Sequence, residues 1–519
     1  MDIKLLADYC IGTAEAEFGG GYIDSIFYDS GVIGDVLDMV SGSPKLLIGN
    51  KGAGKTVLFK RLEILFKQKG IPALYLTPSD IISEEPVSET PAVLKAFYFK
   101  NLIKSVAICL AKNLNGLLSE DEKKLEQVAI NSGDKDPDFI EKIIPFLQCA
   151  GTIVTQRDLT AIPLSNSSNI SSNHLSELIG RNLSGKKIFF LILDEPDDVR
   201  LDGQGGGRIW ALLHACRELC QKVPNVRCLI SLRSEIWHLL CEDSSGRKNI
   251  DQYSPLITTL NPSTSVIGKI ISTRLEFIVK STGTVIGNRN PYEFFFEGKA
   301  TKLPPPATVE SSTWEDYLTK QSRGRPRDSI QLIRLLALQA KKNGKNLISE
   351  REVTQCAIPF SESRIKSLYA EYGDDFPEAE RILPAFAGLE FENEAEVVKK
   401  FLQKRIAEFN PVVRGKKLQG CANGVFILWR ILHEMGFITP RMPDASQTLG
   451  YRHIEYDEEP NFIAQNNWNN MQKACWEIHP VYRSYLYSLH DNELHRIRMI
   501  KEARDNPAFS RRTRKVKKY

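Results

Sequence analysis

Two kinds of apolar spacing alternate along the first half of the chain. Short, nearly unbroken apolar runs occur at 46–48, 188–193 and 226–231, each closed by glycine or polar residues. Runs of this kind are those of parallel strands buried on both faces. After residue 55 the spacing changes: Val57, Leu58 and Leu62 recur at helical intervals, and similar patterns predict helices over 92–114, 119–131 and 207–222. Strands alternating with helices predict an α/β domain with right-handed crossovers, covering about 1–261. From 262 to 378 the pattern is helical, with Ile267, Ile270, Ile271 and Leu275 on one side of a helix and a second helix over about 327–341. From 379 to 494 it predicts several helices, a short strand near 436–439 and a hairpin within 450–479. The Ser/Asn-rich stretch 162–175 reads as a surface excursion, and 296–313, with prolines at 304–306, as a loop. No fixed-period repeat is present, which argues against a solenoid.

Composition narrows the class. A chain of 519 residues with 42% apolar and 25% charged residues is expected to fold into several globular domains. No apolar run approaches the ~20 residues that cross a bilayer. The first twenty residues carry Asp2, Asp8, Glu15 and Glu17 and no basic start into an apolar stretch, so no secretory signal and a cytoplasmic location are expected. Ten cysteines are scattered without a CxxC pair, which argues against a disulfide framework or zinc knuckle. Cys216 and Cys220, with His214 on one predicted helix, are read as reduced packing residues. The HExxH and GxSxG signatures of hydrolases are absent.

The net charge is +4, but residues 495–519 hold ten Lys/Arg against Glu502 and Asp505, a local +8 that leaves the body at −4. A mildly acidic body argues against a broad nucleic-acid face, whereas the tail alone is suited to phosphate contact.

The most specific signal follows the first apolar run. Gly49, Asn50, Lys51, Gly52, Ala53, Gly54, Lys55, Thr56 and Val57 satisfy the GxxxxGK[ST] pattern of a phosphate-binding loop, or P-loop. Its glycines let main-chain N–H groups and a helix N-terminus meet the phosphates. Lys55 would reach the β- and γ-phosphates, and the Thr56 hydroxyl would hold Mg²⁺. The second run ends in Asp194-Glu195-Pro196-Asp197-Asp198. A carboxylate at that strand tip can hold Mg²⁺ through water and another can polarise the attacking water. Asp194 is assigned to the metal and Glu195 to the base, with Asp197 and Asp198 as alternatives. The third run ends at Ser231-Leu232-Arg233, where Arg233 would stabilise charge on the phosphates. Arg327 opens a predicted helix, against the dipole preference there, and is assigned to nucleotide, with Arg323 and Arg325 as substitutes. Arg208, Arg217 and Arg227 are positional candidates for an arginine finger.

Together the segments GNKGAGKT, FFLILDE, CLISLRSEIW and GRPRDSIQLIRLLALQA resemble Walker A, Walker B, sensor 1 and sensor 2 of AAA+/STAND P-loop ATPases, particularly bacterial members with an origin-recognition-like core. The resemblance implies a parallel-sheet nucleoside-triphosphatase core, a helical lid over 262–378, and a mainly helical, winged-helix-like domain over 379–494, followed by the basic tail. It implies ATP and Mg²⁺ as ligands, bound between core and lid. The function it implies is a hydrolysing switch that controls a separately encoded effector or assembly, as in phage defence. The alternative is a DNA-binding loader or remodeller using the winged helix and tail. Self-association into a ring is also compatible with the resemblance, and no membrane contact is expected.

Overall fold

The computed structural model describes residues 2–10, 20–77, 90–112, 172–185, 187–195, 206–242, 249–307, 310–446 and 450–505. The helix expected over 119–131, residues 162–171 of the Ser/Asn-rich stretch, Asp197, Asp198 and tail residues 506–519 lie outside them. The chain divides into two compact units, Glu15–Asn261 and Met1–Ala14 with Pro262–Tyr519. The opening helix α1 (Ile3–Tyr9) therefore belongs with the second unit and not, as the sequence reading has it, with the α/β core. Its Ile3, Leu6 and Ala7 are buried in that unit, and Arg274 of the same unit donates to the Tyr9 carbonyl at 3.2 Å.

Among the described residues, the first unit is built on β1 (Lys45–Gly49), α2 (Lys55–Gln68), β2 (Ala73–Leu76), α3 (Pro91–Lys112), α4 (Ser172–Asn182), β3 (Phe189–Leu193), α5 (Gly207–Lys222), β4 (Val226–Arg233), α6 (Ser234–Glu242) and β5 (Ile257–Thr259). The strands form one parallel sheet in the order β2-β3-β4-β1-β5. The apolar runs predict three of these strands. β2 and β5 were not anticipated, being short and only partly buried.

Strand side chains alternate between the faces with period two. Leu46, Ile48, Leu191, Leu193, Ile230 and Leu232 pack on the side of α3, α4 and α5. Leu47, Phe190, Ile192 and Leu229 pack on the other side, against Leu58, Phe59, Leu62 and Phe66 of α2. By the same alternation Tyr75, Asp194, Ser231 and Arg233 lie on the α2 side of the sheet, and a slip of one residue in any strand would move its member away. The thiols of Cys216 and Cys220 are buried in this core, where they pack as expected.

The second unit contains α7 (Thr264–Ser281), β6 (Ala300–Lys302), β7 (Ser311–Thr313), α8 (Trp314–Lys320), α9 (Pro326–Lys342) and α10 (Glu350–Tyr372). It continues with β8 (Glu392–Glu394), α11 (Ala395–Phe409), α12 (Gly424–Glu434), β9 (Ile438–Pro443), β10 (Tyr451–His453), β11 (Cys475–Ile478) and α13 (Pro480–Asp505). The stretch read as a plain loop at 296–313 holds the antiparallel β6/β7 pair. The later strands form an antiparallel sheet in the order β10-β9-β11-β8, which with α11 and α12 gives the winged-helix arrangement. One apolar core runs through the whole unit, so the structure draws no line at 378/379. Nor does it break at 494/495, because α13 continues to Asp505.

A buried ionic cluster stands at the start of α9. Arg323 donates to Asp328 Oδ2 (3.0 and 2.9 Å) and to the Tyr482 hydroxyl (2.6 Å). Arg364 donates to Asp328 Oδ1 at 2.6 Å, and one terminal nitrogen of Arg325 donates to both Glu371 oxygens at 2.9 and 3.0 Å. These buried contacts correct the assignment of Arg323 and Arg325 as substitute nucleotide ligands: both guanidiniums are committed inside the unit. Burial alone would raise the Asp328 carboxyl, but the charges of Arg323 and Arg364 hold it below its usual range. Its contribution to stability is therefore present above the ordinary carboxylate pKa and lost as the pH falls below it. Asp328→Ala leaves two buried cations without their partner and is expected to cost roughly 3–5 kcal/mol. Urea denaturation checks this, and an unchanged midpoint would contradict the cluster's role.

Candidate phosphate-binding site

Gly49 ends β1 against a neighbouring backbone: a Cβ there would lie 2.7 Å from the Leu260 carbonyl oxygen, so only glycine fits. The turn that follows needs left-handed backbone at Gly52 (φ 86°) and Gly54 (φ 106°), conformations glycine adopts without steric cost. Ala53 is buried under the loop, with its N–H donating to the Asn50 carbonyl at 3.1 Å. Gly54 then caps α2, whose first i→i−4 bond runs from Leu58 N to Gly54 O at 2.9 Å. The amides of Lys55, Thr56 and Val57 precede that bond, in the first turn, where the helix dipole favours an anion.

The Lys55 side chain folds back over the loop. Its ammonium donates to the carbonyls of Gly49 (2.6 Å) and Asn50 (3.2 Å) and is buried. A cation is thus held at the mouth of a glycine turn, beside first-turn amides. Lys51 and Thr56 are half-buried, and Thr56 is the second residue of the helix, with its hydroxyl in the first turn.

β4 lies between β1 and β3, so the loop and the acidic strand tip are two strand spacings apart, roughly 10 Å. Gly49 is level with Arg233, and Leu193 with Ile230. The tips of all three strands therefore meet at one carboxyl edge, where open α/β sheets bind ligands. Asp194 is buried there and held at both oxygens. Ser231 Oγ donates to Oδ1 at 2.7 Å, and the Tyr75 hydroxyl donates to Oδ2 at 2.5 Å. Ser231 in turn accepts from the Glu195 N–H at 2.8 Å. Glu195 has a left-handed backbone (φ 48°), and its partly exposed carboxylate lies 3.6 Å from the Arg233 guanidinium. Burial, and then the charge of Asp194, raise the Tyr75 pKa, so the phenol keeps its proton and acts as donor.

Hard oxygen donors, the Thr56 hydroxyl and the Asp194 carboxylate, sit on two of the three neighbouring strand–loop junctions, a donor set suited to Mg²⁺. The structure thus brings together Gly49 to Val57, Asp194, Glu195 and Arg233. Arg327 lies in the other unit, in the first turn of α9, half-buried. Of the finger candidates, Arg217 donates to Gln252 (2.7 Å) and Arg227 to the Met39 carbonyl (2.9 Å), which ties both within their own unit.

Two residues of the site were not assigned from sequence. Ser231 had a signal, as a polar residue in the apolar run of β4. Tyr75 had none, because a tyrosine in Ala-Leu-Tyr-Leu reads as an ordinary strand aromatic.

A protein-family profile described as the FunZ-associated C-terminal helical domain matches residues 296–369, within the second unit. No curated protein matches the sequence. Among solved structures, the chain is similar to the Aeropyrum pernix ORC2 protein in ADPNP–ADP complexes, at 13% identity and a TM-score of 0.37 over 92% of this chain and 93% of that one. It is also similar to the Walker-type ATPase PABY2304 of Pyrococcus abyssi, at 14% identity and a TM-score of 0.40 over 90% and 95%. The Aeropyrum pernix ORC1 protein in complex with DNA shares 15% identity, with a TM-score of 0.31 over 85% and 89%.

Lys55→Ala removes the cation at the loop while leaving the glycine turn in place. It is expected to abolish binding of a fluorescent ATP analogue with little change in thermal stability. Wild-type affinity in this variant would show that the loop does not hold phosphate.

Proposed function

We propose that this protein is an ATP-hydrolysing switch that controls a separately encoded protein partner. The observation that carries the reading is the common edge at which the Lys55 loop, the Thr56 hydroxyl and the clamped Asp194 carboxylate converge. In this reading the loop amides and Lys55 bind the β- and γ-phosphates, and Thr56 and Asp194 hold Mg²⁺. When bound, Mg²⁺ would offset charge on the phosphate oxygens. Glu195 orients the attacking water for in-line displacement. Arg233 has two anionic partners to choose between. Paired with Glu195 it neutralises the base, and a γ-phosphate drawing the guanidinium away would leave the carboxylate to polarise water. The reading includes Arg327 as a nucleotide contact, from its place in the sequence, and, from the family resemblance, the STAND grouping and a role in phage defence; self-association and a cytoplasmic location belong to it as expectations. No helix among the described residues is long and apolar enough to cross a membrane.

The alternative reading, a DNA-binding loader, draws on the winged-helix arrangement. In a helix-turn-helix the second helix lays exposed side chains against base edges. Here that helix is α12, and none of its residues is exposed. The segment between β10 and β11 covers it: Arg430 donates to the Ile463 carbonyl (3.3 Å), His433 to that of Ile454 (2.8 Å), and Trp429 meets Trp468 edge-on at 6.4 Å. Burial lowers the His433 pKa to about 4, so it adds no positive charge at neutral pH. Nearby, Arg441 pairs with Glu392 at 2.6 Å and Arg452 with Glu459 at 3.2 Å. A covered helix and paired arginines favour the switch over the loader.

Glu195→Gln is expected to retain bound ATP and lower turnover by roughly 100-fold or more, the range typical of general-base loss. If Asp197→Asn or Asp198→Asn does this instead, the base is misassigned. For the loader reading, the decisive measurement is turnover with and without duplex DNA in the full chain and after removal of residues 495–519. The switch reading expects no stimulation in either. DNA-stimulated hydrolysis, with the steep salt dependence of phosphate contacts, would reverse the preference.

A further inference from the structure

We propose that Tyr75 is a positioning residue for the magnesium-bearing carboxylate, acting through Asp194 on how tightly the metal is held with nucleotide. The inference rests on the ATPase reading above and extends it to a side chain outside the motifs that led to that reading.

The argument begins with the carboxylate itself. A terminal carboxyl group rotates in a broad, two-fold torsional well, so an aspartate at a strand tip has no fixed oxygen direction unless something holds it. Asp194 is held from two strands: Ser231 of β4 donates to one oxygen at 2.7 Å and Tyr75 of β2 to the other at 2.5 Å. Each carboxylate oxygen accepts twice, so the clamp leaves one acceptor direction on each oxygen and fixes where it points. Ser231 has a second duty, as acceptor for the Glu195 N–H at 2.8 Å. Among the described residues, the phenol of Tyr75 makes no other hydrogen bond.

Tyr75 is itself held by the helix that carries the loop lysine. The Lys60 ammonium of α2 lies 3.7 Å from the Tyr75 ring centroid, within the range of a cation–π contact, and is steadied by Glu63 at 3.1 Å. The side chain therefore spans from α2, which supplies Lys55 and Thr56, to Asp194. In the proposed reading it thereby sets the two groups that would hold the metal, the Thr56 hydroxyl and the Asp194 carboxylate, directly or through water, in relation to each other. A merely space-filling aromatic does not fit these observations, because Tyr75 is only half-buried on a strand at the sheet edge and directs its hydroxyl at a carboxylate. Groups that hydrogen-bond a metal-ligating carboxylate typically change metal affinity by about 10–100-fold when removed.

The test uses Tyr75→Phe, which keeps the ring and its contact with Lys60 and removes one oxygen. Mn²⁺ replaces Mg²⁺ as a paramagnetic probe. Its binding to the full chain with a non-hydrolysable ATP analogue is followed by electron paramagnetic resonance, and analogue affinity is measured separately in EDTA. The expected result is unchanged analogue affinity in EDTA with a roughly tenfold or larger rise in the Mn²⁺ concentration for half-saturation. Asp194→Asn should weaken Mn²⁺ binding at least as much. Equal Mn²⁺ titrations for wild type and Tyr75→Phe would overturn the positioning role while leaving the ATPase reading intact. Loss of analogue binding in EDTA would also overturn it, by assigning Tyr75 to packing of the loop. A wild-type chain that binds the analogue under neither condition would remove both readings together.

Discussion

The site depends on a single strand placed between two others. β4 separates the P-loop strand from the acidic strand, and its hydrogen-bond register sets Ser231 beside Asp194 and Arg233 beside Gly49. In the proposed reading the interval between the loop and the acidic strand tip is where the phosphates and metal would lie, and β4 lines it with Ser231 and Arg233. Were β1 and β3 adjacent, the same motifs would leave no such interval. The alternation that buries Leu229 against α2 also brings Ser231 and Arg233 to that face, so packing of the sheet and placement of the chemistry share one cause.

The second unit shows how context redirects charged residues. Arg323 and Arg325 look available in sequence, next to a proline and at the head of a helix. In the fold they are committed to Asp328, Tyr482 and Glu371, because a buried guanidinium is tolerated only with carboxylate and hydroxyl partners around it. The same cluster joins the start of α9 to α13, which explains why no internal boundary appears where the helical pattern changes. α12 is a parallel case. It stands just before the antiparallel sheet, and a segment some twenty to forty residues further along the chain lies over it and leaves none of its residues exposed.

Much of the site was legible in the sequence because its parts are local. Gly49 to Thr56 must turn, cap a helix and present a lysine within eight residues, and glycine spacing records that demand directly. The apolar runs of β3 and β4 recorded burial on both faces, and the helices α5 and α9 matched their predicted spans closely. β2 and β5 escape the pattern because four or three mostly half-buried residues carry too little periodic signal. α1 was assigned to the wrong unit because a short amphipathic helix specifies that it will be buried and not against what.

The sequence by itself determined the phosphate-binding turn, the acidic strand tip and the alternation of strand and helix, since each is fixed by backbone stereochemistry and burial within a few residues. Only the tertiary structure decided which side chains surround them. Tyr75 meets Asp194 across 119 positions, and Ser231 meets it across 37. Such meetings follow from strand order and register, which arise when distant segments compete to bury apolar surface together, and no local pattern in the chain records the outcome.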